Sequence, residues 1–154
     1  LLLAAHQADG GAVVVAPGPG VVGTGTTFGT SALEMGQVVN AVAALGGRGV
    51  VVPRLSLADE RPRHRGLSHH TVTALTVVAL ARVTVAFPAG YPELLEETTR
   101  RLPGHDIVEA DASRTREWLR AHDLWPRSMG RSPDDDPVLF EAGGAGGVVG
   151  GGAG

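Results

Sequence analysis

Short runs of β-branched residues alternate along this chain with longer helix-forming stretches, and no other feature of the sequence limits the fold as strongly. The predicted strands are residues 11–16, 49–52, 83–87 and 106–109. The predicted helices are residues 32–45, 68–82, 92–102 and 113–122. Because a parallel neighbour is reached only through a crossover connection, this order predicts an α/β fold. We expect a Rossmann-like, three-layer parallel sheet of about four strands with helices on both faces.

The predicted helices differ in how deeply they should be buried. The first two are almost wholly apolar, so we expect them to be buried on most sides, whereas the last two are amphipathic and should lie outside. The chain ends in a glycine-rich stretch, residues 143–154, in which eight of twelve residues are Gly. Glycine disfavours a stable helix. We therefore predict a single α/β domain over residues 1–142, with at most a short helix beginning within 137–142, and then a low-complexity tail.

Composition and net charge limit the classes of function that we expect for this chain. With 154 residues and no Cys, the chain is long enough for one core without disulfides, and a metal would need His, Asp or Glu ligands. The net charge of −3 and the lack of a long apolar run predict a soluble cytoplasmic protein with no nucleic-acid and no membrane partner. Since the first residue is Leu1, we also expect a piece of a longer chain that pairs with its missing N-terminal region or forms a homo-oligomer.

The connection after the first predicted strand, residues 17–31, is rich in glycine and hydroxyl side chains. Glycines let backbone N–H groups approach an anion, and the following helix adds the positive end of its dipole. The candidate ligand-binding residues here are Gly18, Gly20, Gly23, Thr24, Gly25 and Thr26. The first three fit a dinucleotide-binding spacing, which we discount because the predicted helix begins about ten residues too late. The alternative is that the glycines only make tight turns.

Residues 54–70 concentrate charge and imidazole, with three of the six His within seven residues. The candidate catalytic residues are His64, His69, His70, Asp59 and Glu34, and the candidate arginines for an anion are Arg54, Arg61 and Arg63. Ser68 is a natural N-cap, which would place His69 and His70 in the first helical turn, where neutral imidazole is favoured.

These residues allow a divalent metal site. Zn²⁺, Mn²⁺ or Fe²⁺ would take Asp59, His64 and either His69 or His70 as ligands. Adjacent helical residues diverge by about 100°, so we expect one of the paired histidines to bind and the other to orient. The alternatives are metal-free acid–base or anion chemistry, and a solvated or merely hydrogen-bonded Arg/His loop. Glu34, Gln37 and Asn40 form a polar stripe on the first predicted helix, and if it faces the same cleft, Glu34 is a second candidate base. The alternative is that these side chains are satisfied by backbone groups or by a missing part of the chain.

Four segments carry a family resemblance: PGPGVVGTGT, EMGQVVNAVAALGG, RLSLADERPRHRGLSHHTVTAL and SMGRSPDDDP. They resemble the C-terminal half of the actinobacterial proteins grouped as domain-of-unknown-function family 3866, over about residues 11–140. The resemblance implies a bacterial, cytoplasmic protein and supplies no activity. In this chain the glycine-rich end replaces an alanine-rich helix of the family.

The sequence therefore favours an enzyme that binds an anionic, phosphate- or carboxylate-bearing small molecule between the Gly/Thr-rich and Arg/His-rich segments. Backbone groups of the first segment would hold the anion and arginines of the second would clamp it, while the histidines would transfer a proton or hold a metal. The alternative is a non-catalytic regulatory module that binds a nucleotide or another anion.

Overall fold

Five short strands form two separate sheets in the computed structural model, which describes residues 12–16, 21–24 and 26–151. The strands are β1 (Val50–Val51), β2 (Leu55–Ser56), β3 (Gly66–Leu67), β4 (Thr84–Pro88) and β5 (Asp106–Ala110). Strands β1, β4 and β5 form a parallel sheet in the order β1-β4-β5, whereas β2 and β3 pair antiparallel. The mixed α/β class and the parallel sheet are therefore confirmed.

Two expectations about strands are wrong. Residues 12–16 were predicted to form a strand but contain none. Among the described residues, the parallel sheet therefore has three strands instead of about four. Val14 is 90% exposed, which shows that this β-branched run lacks the neighbour that would bury it as a strand. The second difference is the hairpin of β2 and β3, which lies within residues 54–67, where no strand was predicted.

Four of the helices lie where they were predicted, although the second ends at Val78 and not at residue 82, and a fifth is added. The α-helices are α1 (Glu34–Ala44), α2 (His69–Thr73), α3 (Pro92–Arg101), α4 (Thr115–Ala121) and α5 (Pro137–Gly151). A 3-10 turn, Ser31–Leu33, leads into α1, and a π-helical turn, Ala74–Val78, continues α2. Among the described residues, no helix combines the length and apolar character needed to cross a membrane.

The first two helices are less buried than their composition suggests. Helix α1 buries only Gly36 and Val39, and Val77 in the turn after α2 is 54% exposed. The backbones of the two elements lie close together where they meet. A Cβ added to Gly36 would lie only 2.7 Å from the Ala74 carbonyl oxygen. Asn40 joins them by donating from Nδ2 to the Val78 carbonyl and accepting from the Leu80 N–H. One residue of the polar stripe thus satisfies backbone groups.

The core divides along β4, since neighbouring strand residues point to opposite faces of the sheet. Val85 and Phe87 are fully buried in the main cluster, which also contains Leu75 and Leu94. Ala86 belongs to a second cluster of small side chains that includes Ala145 of α5. Helix α5 therefore covers the Ala86 face of the sheet.

The glycine-rich end is a helix as far as Gly151, so the expectation of a tail without stable helix is wrong over those residues. Packing explains the difference, because most helix stability in proteins comes from tertiary contacts and not from propensity. Ala142 and Ala145 are buried, and glycines permit the close approach on either side of them. A Cβ on Gly144 would meet the Thr115 side chain, and one on Gly146 would meet Val52.

Two alanine substitutions test this account of α5. We expect Gly147→Ala to raise the free energy of unfolding by about 0.5–1 kcal/mol, because a Cβ there meets open space and glycine weakens a helix. Gly144→Ala should lower it, because the Thr115 side chain must move. Urea unfolding followed by circular dichroism measures both values. Stabilisation by both substitutions would contradict the packing of α5 against α4.

Candidate functional site

Three histidines converge where the β2–β3 hairpin meets helix α2. His64 ends a 3-10 turn, Pro62–His64, in the connection of the hairpin, while His69 and His70 begin α2 directly after β3. Their ligand-type nitrogen atoms all lie within 4.8 Å of one another. His64 is buried, and the other two are half-buried. We call these residues the histidine cluster.

The adjacent histidines of α2 converge, which differs from the expectation that only one would face a common point. Their ring centroids are 4.2 Å apart, and each lies within 5 Å of the His64 ring, at 4.9 Å for His69 and 4.8 Å for His70. Helical side chains tilt toward the N-terminus of their helix. His64 precedes that N-terminus, so the tilt directs both imidazoles toward it.

Ser68 fixes the position of two cluster members. It is the N-cap of α2, as predicted, because its Oγ accepts from the His70 backbone N–H at 3.3 Å, and the same Oγ lies 2.8 Å from His64 Nδ1. His64 Nε2 accepts from Arg63 Nε at 3.4 Å. A neutral His64 ring then carries its proton on Nδ1 and donates it to Ser68, while the Nε2 lone pair accepts from Arg63, a contact that a metal at this nitrogen would replace.

Burial keeps the cluster uncharged. Desolvation, followed by the positive charge of Arg54, lowers the pKa of His64 from 6.5 to about 4. Desolvation and the neighbouring His69 lower the pKa of His70 to about 4 as well. The pKa of His69 is lowered by desolvation and then by Arg63. All three imidazoles are therefore neutral near pH 7, the form that binds a metal.

One nitrogen of the cluster lacks a partner. His69 Nε2 is buried and forms no hydrogen bond within the described part of the chain. A buried polar atom without a partner costs free energy, and such atoms are rare in folded proteins. The histidine cluster therefore contains an atom that a bound ion or ligand would satisfy.

A pocket of about 250 Å³ adjoins the cluster and shares His70 with it. Its polar lining consists of Ser31, Glu34, Arg54, His70 and Thr71, and most of the remaining wall is apolar. Val21 and Ser31 come from the Gly/Thr-rich segment, and Arg54 and His70 come from the Arg/His-rich one. The structure thus brings parts of both segments, together with Glu34, around one space.

The Gly/Thr-rich candidates contribute less to this space. Gly18, Gly20 and Gly25 lie outside the described residues. Gly23, Thr24 and Thr26 are exposed and are not among the residues that line the pocket. Thr24 and Thr26 pair through their hydroxyls at 3.0 Å, and Thr26 Oγ1 also accepts from the Gly29 N–H at 3.1 Å. The hydroxyls of this turn therefore hold the turn itself.

Asp59 lies outside the histidine cluster and pairs with arginines. Its oxygens accept three bonds from Arg61 at 3.0 Å, two from the guanidinium and one from the backbone N–H, and one bond each from Arg54 at 3.1 Å and Arg131 at 3.2 Å. The Arg61 side chain, more than any other group, holds the pKa of this buried carboxyl well below its usual range. Two arginines predicted to clamp a ligand thus share an internal carboxylate, while Arg63 is exposed beside His64.

Arg131 belongs to this arrangement but was not singled out from the sequence. Its guanidinium also donates to Asp136 at 3.1 Å, so it connects Asp59 to the segment that enters α5. Because 72 residues separate Arg131 from Asp59, no local spacing signals the contact. Only its position in the resembling segment SMGRSPDDDP draws attention to it.

Fold and site together define an α/β protein with a three-histidine cluster beside a small, mostly apolar pocket. The chain belongs to the family described as "Protein of unknown function (DUF3866)", whose model matches residues 1–147. The family resemblance in the four sequence segments is thereby confirmed. No curated protein and no solved structure matches the chain.

Acid should weaken the metal-free fold through the histidine cluster. The pKa of His64 in the folded state lies below its unfolded value, so its stabilising contribution is present above pH 6.5 and is lost as the pH falls toward 4. We expect this imidazole to contribute a slope of up to about 1.4 kcal/mol per pH unit. Urea unfolding in a chelator at several pH values measures it. A variant with Gln at all three histidines should show a shallower slope, and an equal slope would count against the buried neutral cluster.

The Asp59 contacts predict a large loss of stability when the carboxylate is neutralised. Asp59→Asn should lower the free energy of unfolding by about 3 kcal/mol, because three guanidinium groups lose their shared anion. Asp106→Asn is the matched control. It breaks an exposed pair with Arg82 that solvent screens, so the same chemical denaturation experiment should show a much smaller loss. Equal losses in the two variants would show that Asp59 is not a structural centre.

Proposed function

We propose that this chain is a metal-dependent enzyme in which His64, His69 and His70 hold a divalent transition metal beside a small anionic substrate. The observation that carries the proposal is the convergence of three ligand-type nitrogens within 4.8 Å. In a tetrahedral zinc site with bonds of about 2.0–2.1 Å, ligand nitrogens lie about 3.4 Å apart. Rotation of the imidazoles by small amounts would close that difference.

The chemistry of the donors supports Zn²⁺ first. Neutral imidazole suits zinc as well as copper, iron and nickel, and the chain has no Cys to compete. Metal-binding histidines usually donate their second ring N–H to a nearby acceptor, and Ser68 provides such an acceptor for His64. The unpartnered His69 Nε2 supplies a further donor atom.

Three protein ligands leave a fourth position on the metal, as in catalytic zinc sites. A metal held this way supplies a bound water of lowered pKa and polarises a substrate oxygen. His70 faces both the cluster and the pocket, so a substrate in the pocket would lie against the same side chain. Glu34, at the start of α1, is the carboxylate on the pocket wall and is our candidate for proton transfer.

The surrounding charge favours an anionic substrate. Arg54, Arg61 and Arg131 share the single carboxylate of Asp59. Arg54, Arg61 and Arg63 act as positive charges on the histidine cluster, since each of them lowers the pKa of His70. A positive surrounding stabilises a phosphate or carboxylate more than a neutral ligand. A Rossmann-like arrangement is part of the same proposal. It is supported by the parallel order β1-β4-β5 and by the position of Arg54 just beyond the carboxyl end of β1.

The second candidate function is a non-catalytic module that binds an anion or a nucleotide. One observation favours it: the buried Nε of Arg54 has no partner within the described residues, and an anion would satisfy it without any metal. This candidate predicts anion binding without stoichiometric metal, so metal analysis separates it from the enzyme.

Zinc binding tests the proposed centre directly. We expect chelator-stripped protein to take up one Zn²⁺ per chain, measured by elemental analysis after dialysis and by competition with a chromophoric chelator. His69→Ala should weaken binding at least about 10–100-fold, the loss that follows even when a group supporting a ligand is removed. His122→Ala is the matched control, because His122 is exposed and stacks on Trp118 away from the cluster.

Circular dichroism establishes that each variant is folded before its zinc affinity is compared. Wild-type protein that retains far less than one equivalent of zinc would contradict the proposal. So would a folded variant with all three histidines replaced that binds zinc as tightly as the wild type.

A further inference from the structure

The pocket beside the histidine cluster has one unmet polar requirement and a wall that is otherwise mostly apolar. The Arg54 guanidinium donates from Nη2 to Asp59, while its Nε is buried without a partner. Arg54 lines the pocket, and its backbone N–H is already satisfied by Thr71 Oγ1 at 3.0 Å. Because Arg54 lines the pocket, we expect a ligand with an oxygen acceptor to pair with this N–H after a small movement of the guanidinium, since Nε is sealed from the pocket in the unbound structure.

The rest of the lining describes the other end of the ligand. Val21, Met35, Val38 and Leu75 contribute aliphatic and thioether surface, and they come from the segment before α1, from α1 itself and from the turn after α2. This part of the wall binds hydrocarbon, and sugar hydroxyls could pair only at the polar side of the pocket, with Ser31, Glu34 or Thr71. The volume of about 250 Å³ is also below the usual range of roughly 300–1,000 Å³ for ligand pockets, so a whole nucleotide is too large.

The state of Arg54 distinguishes a carboxylate from a phosphate. Its charge is already shared with Asp59, and the pocket wall also carries the Glu34 carboxylate, so little positive charge is left to balance a dianion. A monoanion needs less compensation than a phosphate dianion, which favours several donors around it.

We infer that the pocket binds a small aliphatic or aromatic monocarboxylate, with its carboxylate on Arg54 Nε and its apolar body between Val21 and Met35. This inference rests on the proposed function only in naming the compound as the substrate of the metal centre. The binding itself requires Arg54 and the apolar wall, and it is expected in protein stripped of metal.

A chain-length series tests the inference. Acetate, butanoate and hexanoate are titrated by calorimetry into chelator-stripped protein, with hexylamine, hexanol and inorganic phosphate as comparators. The affinity of the carboxylates should rise about fourfold per methylene group, since each buried methylene contributes about 0.8 kcal/mol. Hexylamine, hexanol and phosphate should each bind at least about tenfold more weakly than hexanoate, because a charge-assisted hydrogen bond is lost or a second charge is left uncompensated.

Two variants assign the two ends of the ligand. Arg54→Lys keeps a cation beside Asp59 but removes the Nε donor, so hexanoate binding should fall at least about tenfold while zinc uptake is kept. Met35→Gln is close in size but polar, and it should weaken hexanoate while leaving acetate unchanged. If Arg54→Lys does not fold, the ligand series and Met35→Gln still decide the question.

Each result separates this inference from the proposed function. Hexanoate binding without zinc uptake would support the carboxylate site and reject the metal centre. Three results, each obtained with zinc uptake, would overturn the carboxylate site and leave the metal centre standing. The first is a carboxylate affinity that does not change with chain length, and the second is equal affinity for hexylamine and hexanoate. The third is tighter binding of phosphate or adenosine monophosphate than of hexanoate. Unchanged hexanoate binding in folded Arg54→Lys would also overturn the carboxylate site.

Discussion

The buried carboxylate of Asp59 is the contact on which the rest of the site depends. Its oxygens accept hydrogen bonds from Arg54, which precedes it, from Arg61, which follows it closely, and from Arg131, which lies far along the chain. The first of these lines the pocket, and the second begins the turn that ends in His64. The third also pairs with Asp136, which precedes α5. The Asp59 carboxylate thus links the pocket, the turn that leads to His64 and the helix that covers the sheet.

Local patterns predicted the elements that contain a run of strand-forming or helix-forming residues. The parallel strands at β1, β4 and β5 and the helices α1 to α4 follow from such patterns, and Ser68 was found through its capping chemistry. The hairpin was missed because β2 and β3 are two residues long and enclose a polar turn. Helix α5 was missed for a different reason: its glycines serve close packing against Thr115 and Val52, and packing partners are invisible to propensity.

The sequence predicted which residues form the candidate site better than it predicted which of them contact one another. The density of histidine in residues 64–70 identified the cluster, but the divergence of adjacent helical positions suggested that His69 and His70 would separate. Side-chain reach at a helix N-terminus overrides that simple geometry. The sequence likewise grouped Asp59 with the histidines by proximity. Four arginines lie between residues 54 and 65, however, and a buried carboxylate is stabilised far more by guanidinium groups than by neutral imidazole.

The unsatisfied Arg54 Nε and the unsatisfied His69 Nε2 need opposite partners, which supports the proposal that a metal and an anion bind together. Arg54 Nε is an N–H that requires an acceptor, whereas His69 Nε2 can offer a lone pair to a cation. A cation alone would add positive charge next to arginines that share a single carboxylate, and an anion alone would leave the imidazole nitrogen unpaired. A metal ion together with an anionic ligand satisfies both atoms and balances the charge that each would introduce separately. The imidazole rings of the three histidines are neutral, and Ser68 fixes the position of His64. Both features are consistent with a metal and an anion binding together.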